Sequence, residues 1–172
     1  MLWSVIPALA WGGVLSWYDC RERRLPNGLT LGGAAVALTW RLGYGGTSAF
    51  LEGFVGALIG GVFLLIPFLM RGAGGGDVKM LFGSGAIVGL AHQRMLVLLL
   101  VTSLAGVVFG VAMLTAGRLD GARLKHLGRS MFDWRYDRKA GAAALPPKDS
   151  ERVRVPFSIP ITVGLLAALL VP

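Results

Sequence analysis

Long apolar stretches separated by short polar loops dominate the chain. Six blocks run roughly over Met1–Tyr18, Leu25–Leu42, Phe50–Met70, Asp77–Leu90, Met95–Ala116 and Val155–Pro172. A helix needs about 20 residues to cross about 30 Å of hydrocarbon, and most blocks approach that length. The fourth would span only about 21 Å, so it either extends into the "AHQRM" that follows or lies where water reaches into the bundle. The pattern predicts an all-α membrane protein, a bundle of about six transmembrane helices, with residues 1–172 in one domain.

Composition supports a membrane protein and disfavours other classes. Hydrophobic residues make up 55% of the chain and charged residues 15%, against roughly 25% charged in soluble domains. The 26 glycines suit closely packed membrane helices, because small residues let backbones approach. The single cysteine, Cys20, can form neither an internal disulfide nor a zinc-binding CxxC pair.

Charge predicts both a partner and an orientation. The net charge is +8, but the basic residues lie in loops between apolar blocks. This favours anionic lipid headgroups over nucleic acid as the partner. All but two of the 17 lysines and arginines follow the first, third or fifth block, the exceptions being Arg41 and Arg94. The positive-inside rule therefore predicts that these three loops are cytoplasmic and that both termini lie outside.

The loop 117–154 is the one sizeable polar segment. Apolar residues recur there at helical spacing, with basic residues between them: Leu124, Leu127, Met131 and Trp134. The spacing predicts a short amphipathic helix on the cytoplasmic leaflet. A packed loop with scattered apolar residues is the alternative.

Two aspartates are the candidate catalytic residues. Asp19 ends the first block and Asp77 opens the fourth, so the predicted topology places both at cytoplasmic helix ends, at one depth. Charged residues near apolar spans are costly and require a reason. Two carboxylates a few ångströms apart cannot both ionise cheaply, so they share one proton. Such a pair can activate a water and protonate a substrate carbonyl, which cleaves an amide without a metal or cofactor.

The glycines before Asp77 fit this chemistry. Gly74, Gly75 and Gly76 remove side chains beside the aspartate and allow unusual backbone conformations. We expect them to let a substrate backbone come close to the carboxylate.

Each aspartate also has a structural interpretation. Asp77 would be an N-cap residue, where aspartate is favoured and the helix dipole stabilises its charge. Asp19 would be an interfacial charge paired with Arg23 or Arg24. The shared depth of the two aspartates favours the catalytic interpretation.

Three segments resemble those of type IV prepilin peptidases. "DCRERRLPNGLT", in which Leu25-Pro26-Asn27 follows Asp19, resembles their first aspartate motif. "GAGGGDVKM" resembles their second, the GxGD motif followed by a lysine. "VPFSIPITVG", from Val155 to Gly164, is similar to the Pro-Phe segment that opens their last helix. The resemblance covers nearly the whole chain.

The resemblance implies an aspartic endopeptidase of the prokaryotic cytoplasmic (inner) membrane. Such enzymes remove the basic leader of prepilin or pilin-like precursors on the cytoplasmic side. It implies that Asp19 and Asp77 are catalytic. The supporting motif residues would be Gly74, Gly75, Gly76, Lys79, Pro26 and Asn27. Larger members add a domain with two CxxC pairs that holds zinc and accompanies N-methylation. Lacking CxxC, this chain resembles the short form, with no zinc and no methyltransferase activity.

Two other interpretations stay open. Proteases of the presenilin or signal-peptide-peptidase type also pair Tyr-Asp, here Tyr18-Asp19, with GxGD. They need more helices and a Pro-Ala-Leu segment that this chain lacks. A non-enzymatic membrane subunit of a pilus or transport assembly would instead pair Asp77 with Lys79 or Arg71. The distance between the two carboxyl groups distinguishes these cases.

Overall fold

The computed structural model describes residues 2–22, 24–69, 73–116 and 157–171, and this part of the chain contains helices and no strands. The helices are α1 (Leu2–Glu22), α2 (Asn27–Leu69), α3 (Gly75–Val88), α4 (His92–Thr115) and α5 (Ser158–Leu170). The all-α prediction is confirmed for these residues. The count of six membrane spans stays a prediction, because among the described helices two, α2 and α4, are long and apolar enough to cross a membrane. The amphipathic helix predicted within 117–154 lies outside the described residues.

The second and third apolar blocks lie in α2, whose 43 residues form two helices that meet in a kink at Gly46. A straight helix of that length would measure about 65 Å, roughly twice the hydrocarbon thickness of a bilayer. The backbone instead breaks at Gly46, whose φ of 67° is rarely adopted by residues with a side chain. Beyond the break the chain turns back. A Cβ added to Gly53 would lie 2.5 Å from Arg41 Cδ, whereas a straight helix would hold these residues about 18 Å apart.

Close backbone contact joins α3 to the second half of α2. A Cβ on Gly56 would lie 2.5 Å from the carbonyl oxygen of Gly85, and one on Gly60 would lie 2.5 Å from that of Leu81. Only glycine leaves room for this approach, which is typical of packed membrane helices. The second half of α2 therefore holds the helix that carries Asp77.

The helix of the fourth block, α3, ends earlier than the sequence predicted. It stops at Val88, and the following Gly89 has a φ of 74° and donates its N–H to Gly85 O at 2.8 Å. The helix thus ends two residues before the approximate block limit at Leu90, and it does not extend into "AHQRM", where α4 begins at His92. The positive φ of Gly89, together with its extended ψ of −163°, turns the backbone out of the helix, and glycine adopts such a conformation without steric cost.

The two arginines assigned to the non-cytoplasmic side both bind the ends of helices. Arg41 donates from Nε to Ala86 O and from Nη2 to Ile87 O, each at 2.9 Å. Arg94 Nε donates to Val171 O at 3.1 Å, just beyond α5. The last carbonyls of a helix have no intrahelical partner and form the negative end of its dipole. The arginines thus stabilise the ends of α3 and α5.

The outside of the bundle is apolar. On α4, six side chains that are each more than half exposed lie along one face: Leu96, Leu100, Leu104, Val107, Val108 and Val111. The other face buries Met95, Leu98 and Thr102. Among the described helices, α2 and α4 are long and apolar enough to cross a membrane, and α5 is a shorter apolar helix. So large an exposed apolar surface marks contact with lipid or protein.

Candidate active site

Asp19 and Asp77 lie at the same end of the bundle. Trp11 of α1 packs on α3, where a Cβ on Gly83 would lie 2.9 Å from its Cη2. From this contact, Asp19 lies about 12 Å further along α1, and Asp77 lies about 9 Å back along α3. The chain after α1 meets the start of α3, since Leu25 contacts Gly76. Both aspartates therefore lie toward the same end of the bundle, near the contact between Leu25 and Gly76.

Asp19 is half-buried and contacts the last described helix. The block limit at Tyr18 predicted that Asp19 lies at the end of its helix. In the structure α1 continues to Glu22, so Asp19 lies within the helix. Its Oδ2 accepts a hydrogen bond from Ser158 Oγ at 2.6 Å and a longer one from the Ser158 N–H at 3.4 Å. Ser158 begins α5, where backbone N–H groups have no intrahelical partner. The carboxylate of Asp19 therefore lies at the positive end of the α5 dipole.

Asp77 is the third residue of α3 and is only 6% exposed. Its Oδ2 accepts the Gly74 N–H at 2.9 Å. This contact is one half of a capping box, because glycine has no side chain to supply the other half. The capping role considered for Asp77 therefore exists, but from the third helical position and not from the N-cap, which is Gly74.

The motif glycines are ordinary in backbone conformation. Gly74 is extended, with φ −83° and ψ 150°, and Gly75 and Gly76 belong to the first turn of α3. Among the described glycines, only Gly46 and Gly89 have positive φ. The unusual conformations expected of the motif glycines are thus not found in this structure.

What Gly76 accommodates is Leu25. A Cβ on Gly76 would lie 2.9 Å from Leu25 Cβ, closer than packed side chains tolerate without a shift. The sequence predicted that a substrate backbone would use this space. In the structure the loop between α1 and α2 occupies it, immediately before Asp77.

A second contact joins the two motifs just beyond Asp77. Lys79 Nζ donates to Asn27 Oδ1 at 2.7 Å. Pro26 O accepts the N–H groups of Leu29 and Thr30, both at 3.1 Å, so α2 begins directly after this segment. The Leu-Pro-Asn segment of the first motif therefore holds the helix of the second aspartate.

Sequence reasoning missed a set of polar contacts between α1 and α5. One turn from Asp19, Ser16 Oγ lies 3.0 Å from Thr162 Oγ1. Thr162 Oγ1 also lies 3.2 Å from Gly12 O, and a Cβ on Gly12 would lie 2.9 Å from Thr162 Cγ2. A signal existed, because positions 12, 16 and 19 share one face of α1, and small or polar residues in apolar helices mark contacts between helices.

Several side chains considered for ion pairs or metal lie elsewhere. Arg23 and Arg71 are outside the described residues, and Cys20 is exposed. In the described ranges, no three His, Cys, Asp or Glu side chains cluster as metal ligands would. The expectation of a metal-free and cofactor-free site stays a prediction.

The apolar helices and the two aspartates at one end of the bundle define a helical membrane protein with a polar site near the helix ends. The chain matches the model of the type IV leader peptidase family over residues 6–111, more than half of its length, and it belongs to that family. The matched range includes Asp19 and Asp77 but ends before α5. No curated protein and no solved structure matches the chain. The family predicted from the two aspartate motifs is confirmed.

Proposed function

We propose that the protein is an aspartic endopeptidase that removes the basic leader from type IV pilin-like precursors at the cytoplasmic face of the membrane. Asp19 and Asp77 form its catalytic pair. The observation that supports the proposal is that the segments carrying the two aspartate motifs meet, since Leu25 contacts Gly76 and Lys79 Nζ donates to Asn27 Oδ1. Membership of a peptidase family supports it.

The reaction needs only the two carboxyl groups and a water. The ionised carboxylate takes a proton from the water, whose oxygen attacks the scissile carbonyl carbon, while the neutral carboxyl donates its proton to the carbonyl oxygen. The product is a tetrahedral diol. The diol then returns a proton to the carboxylate, the other carboxyl protonates the amide nitrogen, and the C–N bond breaks. Water is consumed, and the pair regains its single shared proton.

The helix ends at the site support this chemistry. Both α3 and α5 begin beside an aspartate, and the first backbone N–H groups of each helix point out of its N-terminus. Helix N-termini favour negative charge. They would therefore stabilise the charge that the pair carries throughout the reaction.

A non-enzymatic membrane subunit is the second candidate, because both aspartates also make structural contacts. Asp19 binds the start of α5, and Asp77 binds the backbone before α3. These contacts would persist in a protein without activity. Family membership favours the peptidase.

Asparagine substitutions separate the two candidates, because asparagine keeps an acceptor oxygen for capping but cannot carry the proton. The full chain is co-expressed with a pilin-like precursor, and the shortened product is measured per unit of membrane protein. We expect Asp19→Asn and Asp77→Asn each to reduce cleavage below about 1% of wild type at unchanged abundance, since members of a catalytic unit act together. Glu52→Gln, at an exposed acid beyond Gly46, serves as the control. Near-normal cleavage by either Asn variant would exclude that residue from catalysis.

A further inference from the structure

We infer that Ser158 is a positioning residue for Asp19, acting through a polar ladder between α1 and α5. The ladder consists of Gly12, Ser16, Asp19, Ser158 and Thr162. The inference rests on the proposed function, because it assigns Asp19 to catalysis. Ser158 and Thr162 lie beyond the range that matches the family model.

The contact between Ser158 and Asp19 is short and partly buried. The distance of 2.6 Å from Oγ to Oδ2 lies in the range of hydroxyl bonds to ionised carboxylates. Ser158 has no exposed surface, and its backbone N–H approaches the same oxygen. Two donors from one residue therefore fix the orientation of the Asp19 carboxyl group.

Other serines in the apolar helices use their hydroxyls differently. Ser84 donates to Met80 O at 3.0 Å, and Ser103 donates to Leu99 O at 2.7 Å, each within its own helix. Such bonds to a preceding carbonyl are the usual way to satisfy a serine in a helix. Ser158 instead joins two helices through an acid that the reaction requires.

The position of Ser158 is itself set by α4. The ring of Phe157 packs against Gly106 of α4. A Cβ on Gly106 would lie 2.9 Å from Phe157 Cε1. Further along α5, a Cβ on Gly164 would lie 2.8 Å from Leu98 O. Glycines at both points let the helices pack closely. Ser158 follows Phe157 directly, so α4 holds the donor that orients Asp19.

The deeper contacts of the ladder oppose rotation of α1. Ser16 and Gly12 both meet Thr162, one and two turns from Asp19. Thr162 Oγ1 also lies 2.9 Å from Ser158 O, which joins the two α5 members of the ladder. A rotation that displaced Asp19 would break these contacts together.

Kinetics of Ser158 variants test the inference. Full-length protein extracted from membranes is assayed on a pilin-like precursor. We expect Ser158→Ala to lower kcat by about 10- to 100-fold with KM within about twofold, because a misplaced reacting group costs rate and not affinity. Ser158→Thr keeps the hydroxyl and should stay within about fivefold of wild type. Ser103→Ala is the matched control and should change neither parameter. Wild-type kcat in Ser158→Ala, or an equal loss in Ser158→Thr, would overturn the inference.

A cross-link tests the ladder independently of activity. Ser16→Cys and Thr162→Cys are combined in a Cys20→Ala background, and disulfide formation is measured by loss of maleimide labelling after mild oxidation. The 3.0 Å separation of the native hydroxyl oxygens predicts rapid closure. The pair Ser48→Cys with Thr162→Cys is the control and should stay labelled. Failure of the first pair to close would overturn the ladder without affecting the proposed function. If the pair closes but wild type cleaves no precursor, the proposed function fails, and the positioning role of Ser158 in cleavage fails with it.

Discussion

Lys79 Nζ donates a hydrogen bond of 2.7 Å to Asn27 Oδ1, although the two residues belong to different motifs. Lys79 follows Asp77 by half a turn of α3, and Asn27 is the first residue of α2. A bond to a charged group contributes about 1.5–3 kcal/mol, less where solvent reaches it, and Asn27 is exposed. The bond is therefore a moderate restraint on the start of α3.

We expect Lys79→Ala and Asn27→Ala each to lower the cleavage rate by about fivefold, which corresponds to about 1 kcal/mol. If the two residues act through their mutual bond, the double variant should lose little more than either single variant. The measurement is a double-mutant cycle on cleavage per unit of extracted protein. Gln93→Ala, an exposed amide at the other end of the bundle, is the control. Losses that multiply in the double variant would contradict a shared role.

Gly75 and Gly76, at the start of α3, should differ sharply in how well they tolerate replacement by alanine. Gly76→Ala places a Cβ 2.9 Å from Leu25 Cβ, whereas Gly75→Ala places one at an ordinary 3.4 Å from Phe68 Cε2. Alanine is the better helix former by about 1 kcal/mol at either position, so a loss at Gly76 reflects packing. We expect Gly76→Ala to lose at least about tenfold in cleavage per unit of protein, and Gly75→Ala to stay within about threefold.

A second substitution identifies what Gly76 makes room for. If Leu25 is the obstacle, Leu25→Ala in the Gly76→Ala background should restore part of the cleavage, because it removes the atoms in contact. If a substrate backbone needs the space, shortening Leu25 restores nothing. Leu25→Ala alone is the reference for its own effect.

Arg41 should contribute more to stability than Arg94. Arg41 binds two carbonyls at the end of α3 at 2.9 Å, whereas Arg94 binds one beyond α5 at 3.1 Å. We expect Arg41→Ala to lower the free energy of unfolding by about 2 kcal/mol and Arg94→Ala by about 1 kcal/mol. Thermal unfolding in detergent would measure this as a decrease in Tm of roughly 4–8 °C for Arg41→Ala. Arg41→Lys should not rescue, since an ammonium lacks the planar fork. Equal effects of the two alanine variants would contradict the assignment.

The native cysteine reports the orientation of the site. Cys20 is exposed and next to Asp19, so the proposed topology places it in the cytoplasm. In intact cells an impermeant maleimide should leave Cys20 unlabelled until the membrane is opened. Tyr44→Cys in a Cys20→Ala background should be labelled at once, because Tyr44 is 79% exposed near the turn at Gly46. The opposite pattern would place the aspartates on the outer side.

The helical class and the family follow from the sequence alone. Apolar blocks of membrane length predict helices because a chain in hydrocarbon must satisfy its backbone hydrogen bonds within itself. The two aspartates are recognisable because each lies in a short local motif. Local composition and spacing carry this information, so no contact between distant residues is needed to find it.

The tertiary structure decides which residues support each aspartate. Ser158 reaches Asp19 across 139 positions of sequence, and Leu25 occupies the space beside Gly76. It also decides that the chain turns back at Gly46 and that Arg41 binds the end of α3. The sequence could not predict these contacts, because faces toward lipid and faces toward another helix are both apolar. Hydropathy therefore does not distinguish them, and only the fit of small residues between helices does.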